Sequence, residues 1–417
     1  MRPIAREQLH CSSLPRTPFI RTVVQCAPAF PLLLGKRFAA AVPAVAVATA
    51  LATLLAACGG GSSSNSSTPV AATTPTPSGG ISLQVIAFGD SLSDVGTYAS
   101  TTAVSGFTRG RYTTNPGEVF PQKIAEYYGG TVSPAAVGGY GTPLVATTGL
   151  GYAQGGARVV DPIGESHAGT SQADYAEATT VPVTTQVQNY LSAHGSFNSN
   201  QLVLINGGAN DIFVQVTSLL SLIEADITGG MSADAAIQKE TLTTLVPAAV
   251  ALGQEVGTIL ASGATHVVVS NVPDIGQTPE VLATGAAGQA IVSGITQVFN
   301  AALKSTLSQA GNLSKVVYID AYSWQDNLAA NYLSNGYTVS NTATACNLAG
   351  MTAAATAAGL ADPTDYASSL YCTPTFLVSS GADQTYMYAD GVHPTTHTHA
   401  LFASYIEQQI AATGLGK

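Results

Sequence analysis

Ser91, Asp390 and His393 have the side-chain types that nucleophilic catalysis needs, the serine early in the body of the chain and the other two near its end. A serine that attacks a carbonyl requires an imidazole to take its proton, and the imidazole requires a carboxylate to fix its tautomer and orientation. Asp390 and His393 stand three residues apart in YADGVHPT, a turn sequence in which one can serve the other. A lone histidine in such a turn is also an ordinary capping or surface residue. Among the other histidines, His10 lies near the start, and His167, His194 and His266 lack an acidic partner in a matching turn. His397 and His399 would point about 200° apart on a helix, and no carboxylate or cysteine has ligand spacing with them, so no metal or other cofactor is expected.

The serine sits in VIAFGDSLSDVG, Val85 to Gly96. An apolar run of strand length ends at Gly89, which predicts a strand-to-helix turn at Ser91. Unpaired N–H groups and the positive end of a helix dipole would there favour a developing oxyanion. GYAQGGARV, Gly151 to Val159, carries a glycine pair that lets backbone N–H approach a ligand closely. QLVLIN, Gln201 to Asn206, is a second buried strand and breaks into Gly207, Gly208, Ala209, Asn210 and Asp211. Asn210 is either a helix cap or a carboxamide donor to the same oxyanion.

GDSLS, GYAQGGARV, GGANDI and DGVHP occur in the order of the conserved blocks of the GDSL, or SGNH, hydrolase family, which the chain resembles from Gly89 to His393. The resemblance implies a flavodoxin-like three-layer α/β/α sandwich with a central parallel sheet and a site at the carboxyl ends of its strands. It also implies an ester hydrolase working through an acyl-enzyme, with Ser91 as nucleophile, His393 as base and Asp390 as its orienting carboxylate. The oxyanion donors would be the N–H groups of Ser91 and Gly156 and the side chain of Asn210, although Gly151 stands where the family usually has Asn. The implied substrate is a lipid or short-chain acyl ester. Removal of O-acetyl groups from a polysaccharide, or acyl transfer to an acceptor other than water, is the alternative within enzymes. A cell-surface binding lipoprotein on a retained hydrolase fold is the alternative outside them. The serine context is not G-x-S-x-G and the nucleophile stands early, which sets the chain apart from α/β-hydrolases.

Apolar strands at Val85–Phe88, Gln201–Asn206, Thr265–Asn271 and Lys315–Asp320 alternate with helical runs, including 184–194, 232–262, 281–310 and a last one through Ala400 to Ile406. That alternation itself predicts a parallel sheet with helices on both faces. Gly106–Phe120 reads as a loop, with Arg109, Arg111, Tyr112 and Asn115 either beside the site or in solvent. Tyr98, Phe107, Tyr112 and Phe120 suit an acyl pocket or a core equally well. Residues 157–183 look like an irregular insertion. Residues 335–385 interrupt the rhythm and hold Cys346 and Cys372, which suggests a disulfide-pinned insertion, either lid or decoration, with two free thiols as the alternative. Closing that loop would stabilise the fold by roughly 3 to 4 kcal/mol.

Charged residues are 9% and apolar ones 46% of the chain, a balance for a globular rather than a disordered protein. Residues 1–57 carry six basic side chains and one acidic, and an apolar run ends in Leu55, Ala56, Ala57, Cys58. This resembles a bacterial lipoprotein leader cleaved before an acylated Cys58, a plain membrane span being the alternative. Residues 58–80 form a Gly, Ser, Thr and Pro-rich tether, and 81–417 the hydrolase domain. The protein is therefore expected to be exported, as an envelope lipoprotein, outer-membrane in particular, or secreted, with the membrane as partner. Removing 1–57 leaves eight basic and twenty-three acidic side chains, a net charge of −15, which excludes nucleic acid as a long-range partner.

Overall fold

The computed structural model of the 417-residue chain describes residues 76–100, 103–140, 142–165 and 180–417. The leader expected over 1–57, the acylation site at Cys58 and the tether as far as residue 75 lie outside the described residues, as does the middle of the 157–183 segment.

Four strands build the central sheet among the described residues: β1 (Gln84–Phe88), β2 (Gln201–Ile205), β3 (His266–Ser270) and β4 (Val317–Ile319). All are parallel and lie side by side in that order. Phe88 is level with Ile205, so the chain leaves β1 and β2 at the same height. Leu150–Gln154 covers the outer edge of β1: Ala87 N–H donates to Leu150 O at 3.1 Å, and Tyr152 and Gln154 N–H donate to Ala87 O and Gly89 O. An uncovered edge would invite pairing with another chain. Here the covering segment also delivers Gly156 to the end of β1.

Successive strand residues leave the sheet on opposite faces. Ile86, Phe88, Val203, Ile205, Val267 and Val269 are buried on one face. They pack with α2 (Val183–His194), α3 (Ala209–Thr228), α4 (Ala233–Thr244), α5 (Val246–Ala261) and α6 (Ala286–Gln309). Val85, Leu202, Leu204 and Val268 are buried on the other, under α1 (Phe120–Tyr127) and α7 (Thr396–Ala412). Both faces being covered explains why the strands read as unbroken apolar runs. The result is the three-layer α/β/α arrangement with a parallel sheet that the sequence pattern predicts.

Some elements depart from expectation. The Ala-rich region 232–262 is two helices bent by 57°. Pro247, in the first turn of α5, has no N–H to continue the preceding helix. The 281–310 run is likewise divided, since Gly285 at φ 90° separates a short turn, Pro279–Leu282, from α6. Residues 335–385 contain a strand, Val339–Thr344, paired in parallel with Tyr386–Tyr388, and a helix, Leu348–Ala357. Cys346 and Cys372 form a disulfide. Met351, Leu370 and Tyr371 of this segment are buried with Tyr98, Phe107 and Tyr112, so neither it nor the Gly106–Phe120 loop is a surface ornament. At the opposite pole of the sheet, Lys417 N–H donates to Gly79 O at 3.0 Å and the Tyr127 hydroxyl to Lys417 O at 2.8 Å.

His399 joins α7 to α1. Its buried ring stacks on Phe120, and Nδ1 accepts the Phe120 N–H at 3.3 Å, an acceptor for the start of a helix whose Val119 cap supplies none. Burial, assisted by the neighbouring His393 charge, pushes the His399 pKa down to about 3. Between its ordinary value and about 3, the unfolded chain therefore binds a proton that the folded one refuses, and stability falls as pH falls through that window, by at most about 1.4 kcal/mol per pH unit. Urea unfolding at pH 7 and pH 4.5 should show a smaller loss on acidification for His399→Gln than for wild type; equal losses would remove His399 as the cause.

Candidate active site

Ser91, the second residue after Gly89, is 8% exposed. It lies in a turn closed by Ser93 N–H on Asp90 O at 3.1 Å, and the next helix in the chain begins only at Phe120. The strand-to-helix expectation is thus wrong in its second half. The Asp94 carboxylate accepts the N–H groups of Gly96 and Thr97 at 2.9 and 2.7 Å, which stops the segment from winding into a helix. Side chains from distant segments hold the turn instead. Buried Gln186, on α2, accepts the Gly89 N–H at 2.8 Å and donates to Gly89 O at 2.9 Å. Asn206, just past β2, donates to Asp90 Oδ1 at 2.8 Å and accepts from Ser93 Oγ at 2.5 Å. Gly89 is required there, because φ is 151° and a Cβ would overlap Asn206 Oδ1.

The chain returns to this turn through Asp390 and His393. His393 Nε2 is 3.0 Å from Ser91 Oγ, and His393 Nδ1 is 2.9 Å from Asp390 Oδ2 and 3.0 Å from Oδ1. Asp390 opens a side-chain-closed turn, its Oδ1 accepting the N–H groups of Val392 at 3.0 Å and His393 at 2.7 Å. Burial acts to raise the Asp390 pKa, but the His393 charge, its ring N–H and these backbone donors outweigh burial and hold the carboxyl well below the usual range. For His393, burial acts downward, and the Asp390 charge and hydrogen bond, with Glu165 and Asp90 behind them, outweigh it and leave the pKa above the ordinary value of 6.5. The Tyr112 ring lies against the imidazole at a centroid distance of 5.1 Å.

Gly155 N–H is committed to Asp94 Oδ2 at 2.9 Å, whereas the N–H groups of Gly156 and Ser91 donate to no group among the described residues. Of the two glycines, Gly156 is thus the one with an N–H left to offer. Asn210 is the second residue of α3, whose cap is Gly208 at φ 109°, so the asparagine does not cap that helix. Its Nδ2 donates one hydrogen to Ala157 O at 2.9 Å and has a second to offer. Asp211 secures the same loop by accepting the Val159 N–H at 3.0 Å and pairing with Arg158 at 3.4 Å. Burial pushes its pKa up to about 6 against those partners.

Other sequence candidates lie elsewhere. Arg109 donates to Tyr98 O, Arg111 to Val95, Pro116 and Gly117 O, and Asn115 to Arg111, Thr113 and Ser369 O, so all three brace the loop. Phe107 packs on Tyr366 and Phe376, and Phe120 on Phe402, away from Ser91. His397 meets Asn335 O and His399 meets Phe120 N, so these two and His393 turn to separate partners. Gln186, Asn206, Asp94 and Asp211 were not foreseen, and neither were two acidic side chains near His393. Glu165 N–H donates to Gly156 O and Glu280 N–H to Gly391 O. Burial pushes both of these carboxyls up to about 7, the His393 charge opposing it.

A serine, histidine and aspartate in hydrogen-bonding sequence, at the carboxyl ends of a parallel α/β/α sheet, are the groups that attack by a serine hydroxyl requires. A family model described as GDSL-like lipase/acylhydrolase matches residues 85–406, and the chain belongs to that family, whose members hydrolyse ester-type substrates. No curated protein matches the chain.

The His393 pKa offers a direct test of the geometry. Titration of its ring by NMR should give a value above 6.5 in wild type and a lower one in Asp390→Asn, which removes the carboxylate charge. An unchanged value would mean that Asp390 does not govern the imidazole.

Proposed function

We propose that the chain hydrolyses carboxylic esters of lipid or short-chain acyl groups through an acyl-enzyme on Ser91. The observation that carries this reading is the unbroken contact from Ser91 Oγ to His393 Nε2 at 3.0 Å and from Nδ1 to Asp390 Oδ2 at 2.9 Å. Ser91 Oγ attacks the acyl carbon while His393 takes its proton, and Asp390 stabilises the resulting imidazolium. The tetrahedral oxyanion is held by the Ser91 and Gly156 N–H groups and the free hydrogen of Asn210 Nδ2. His393 returns the proton to the departing alkoxide, which breaks the ester bond and leaves the acyl group on Ser91. Water, deprotonated by His393, then releases the acid. We further infer that the chain works outside the cytoplasm, residues 1–57 being removed and an acylated Cys58 holding the 81–417 domain to the envelope by its tether. The basic and apolar leader and the Cys346–Cys372 disulfide support export.

Turnover of p-nitrophenyl esters from acetyl to palmitoyl by the full chain tests this reading. Ser91→Ala should abolish it, and retained turnover would refute the assignment. Asn210→Ala should lower kcat on the order of 10²- to 10³-fold; a folded variant with near-wild-type kcat takes Asn210 out of the oxyanion site.

A further inference from the structure

Asp390 is held by more than its own turn. The two turn donors, Val392 and His393 N–H, both reach Oδ1. Oδ2 accepts the imidazole and one further group, the N–H of Ser369, at 2.7 Å. The imidazole Nδ1 lies within 3.0 Å of both oxygens, so the Ser369 N–H is the donor that holds Oδ2 in place independently of the imidazole. The Ser369 hydroxyl is buried and without a partner, so the contact belongs to the backbone.

The segment carrying this N–H is anchored on every side. Asn115 Nδ2 donates to Ser369 O at 2.9 Å, Gly110 N–H to Leu370 O at 2.8 Å, and Asn115 N–H to Cys372 O at 2.8 Å. Cys372 is bonded to Cys346, whose N–H donates to Ala389 O at 3.0 Å. The disulfide thus closes a loop that touches consecutive residues, Ala389 through Cys346 and Asp390 through Ser369, shortly before Cys372.

We propose that residues 368–372 are a positioning arm for Asp390, in which the backbone N–H at position 369, and not the serine side chain, fixes the carboxylate, and the Cys346–Cys372 bond keeps the arm in place. This rests on the reading of Asp390 as the carboxylate that orients His393. It places the insertion in the working site, as a support for the acid rather than a cover for the substrate.

Ser369 is the first residue of a 3-10 turn, and Ser368 before it is extended, at φ −129° and ψ 148°. Proline is accepted at such a position, with such a residue ahead of it. Ser369→Pro therefore deletes the donor and sets a ring carbon against Oδ2, while Ser369→Ala keeps the N–H. Kinetics on p-nitrophenyl acetate across pH, with the full chain, should show Ser369→Ala matching wild type. Ser369→Pro should lose about tenfold or more in kcat with KM within about twofold, because Asp390 does not touch substrate. The acid limb of kcat/KM should also move to lower pH, since a displaced carboxylate no longer favours the imidazolium. A smaller folded fraction would lower the rate without moving that limb.

Equal behaviour of the two variants overturns the proposal. Should the proline variant not fold, reduction of the disulfide in wild type decides, with Trp324 fluorescence reporting the fold. A lowered kcat with the limb at lower pH supports the arm. A limb that stays put, or a rate that vanishes only with unfolding, overturns it. Asp390→Ala run alongside separates the two readings. If it keeps wild-type kcat, the assignment of Asp390 fails; if it is inactive while Ser369→Pro is normal, only the arm fails.

Discussion

An ionised carboxylate taken out of water is destabilising by several kcal/mol unless donors surround it. Asp390 is buried in this way, and much of the site's construction answers that demand. Its own turn gives two N–H groups, the imidazole a third donor and the disulfide-pinned segment a fourth. Each donor orients the carboxylate as well as neutralising it, so the stabilisation of the charge and the aim of His393 toward Ser91 have a common cause. The Tyr112 ring and the Thr113 hydroxyl, which donates to Pro394 O at 3.0 Å, then confine the turn from the other side.

The turn at Ser91 follows a different principle. No helix starts at Ser91, so no dipole supplies a positive end there, and the turn is shaped by polar side chains that grip its backbone. Gln186 takes both polar groups of the Gly89 peptide, Asn206 takes Asp90 and Ser93, and Asp94 takes Gly96, Thr97 and Gly155. Gln186 and Asp94 occupy the N–H groups of Gly89, Gly96, Thr97 and Gly155, whereas those of Ser91 and Gly156 donate to no group among the described residues. Preorganised, unspent donors are what an oxyanion site consists of, since they need no rearrangement when charge develops.

What could be read from sequence was what is encoded locally. Ser91, Asn210 and the Asp390–His393 pair each stand in a short segment where an apolar strand, a glycine break or a turn announces the geometry. The parallel sheet was legible because strands covered on both faces are continuous apolar runs. Gln186, Glu280 and Ser369 were not, because their partners lie on other segments and nothing around them is distinctive; Gln186 reads as any polar helix residue. The missing helix after Ser91 shows the same limit. Its cause, the Asp94 side chain closing on Gly96 and Thr97, competes with helical hydrogen bonding over only a few residues, and an apolar run ending in glycine says nothing of that contest. Pro247 and Gly285, by contrast, were visible breakers within runs read as single helical stretches.

The contact between Lys417 and Gly79 places both ends of the described body at the amino-terminal edge of the sheet, against α1, whereas Ser91 lies beyond the carboxyl edge. A five-residue strand such as β1 spans roughly 17 Å, which separates the two poles. Gly79 and Lys417 therefore both lie at the pole of the sheet away from Ser91, where a domain grafted onto residue 417 would be attached. A short linker from residue 417 to residue 76 would also close residues 76–417 into a ring of nearly unaltered geometry, making this body a ready substrate for circular permutation.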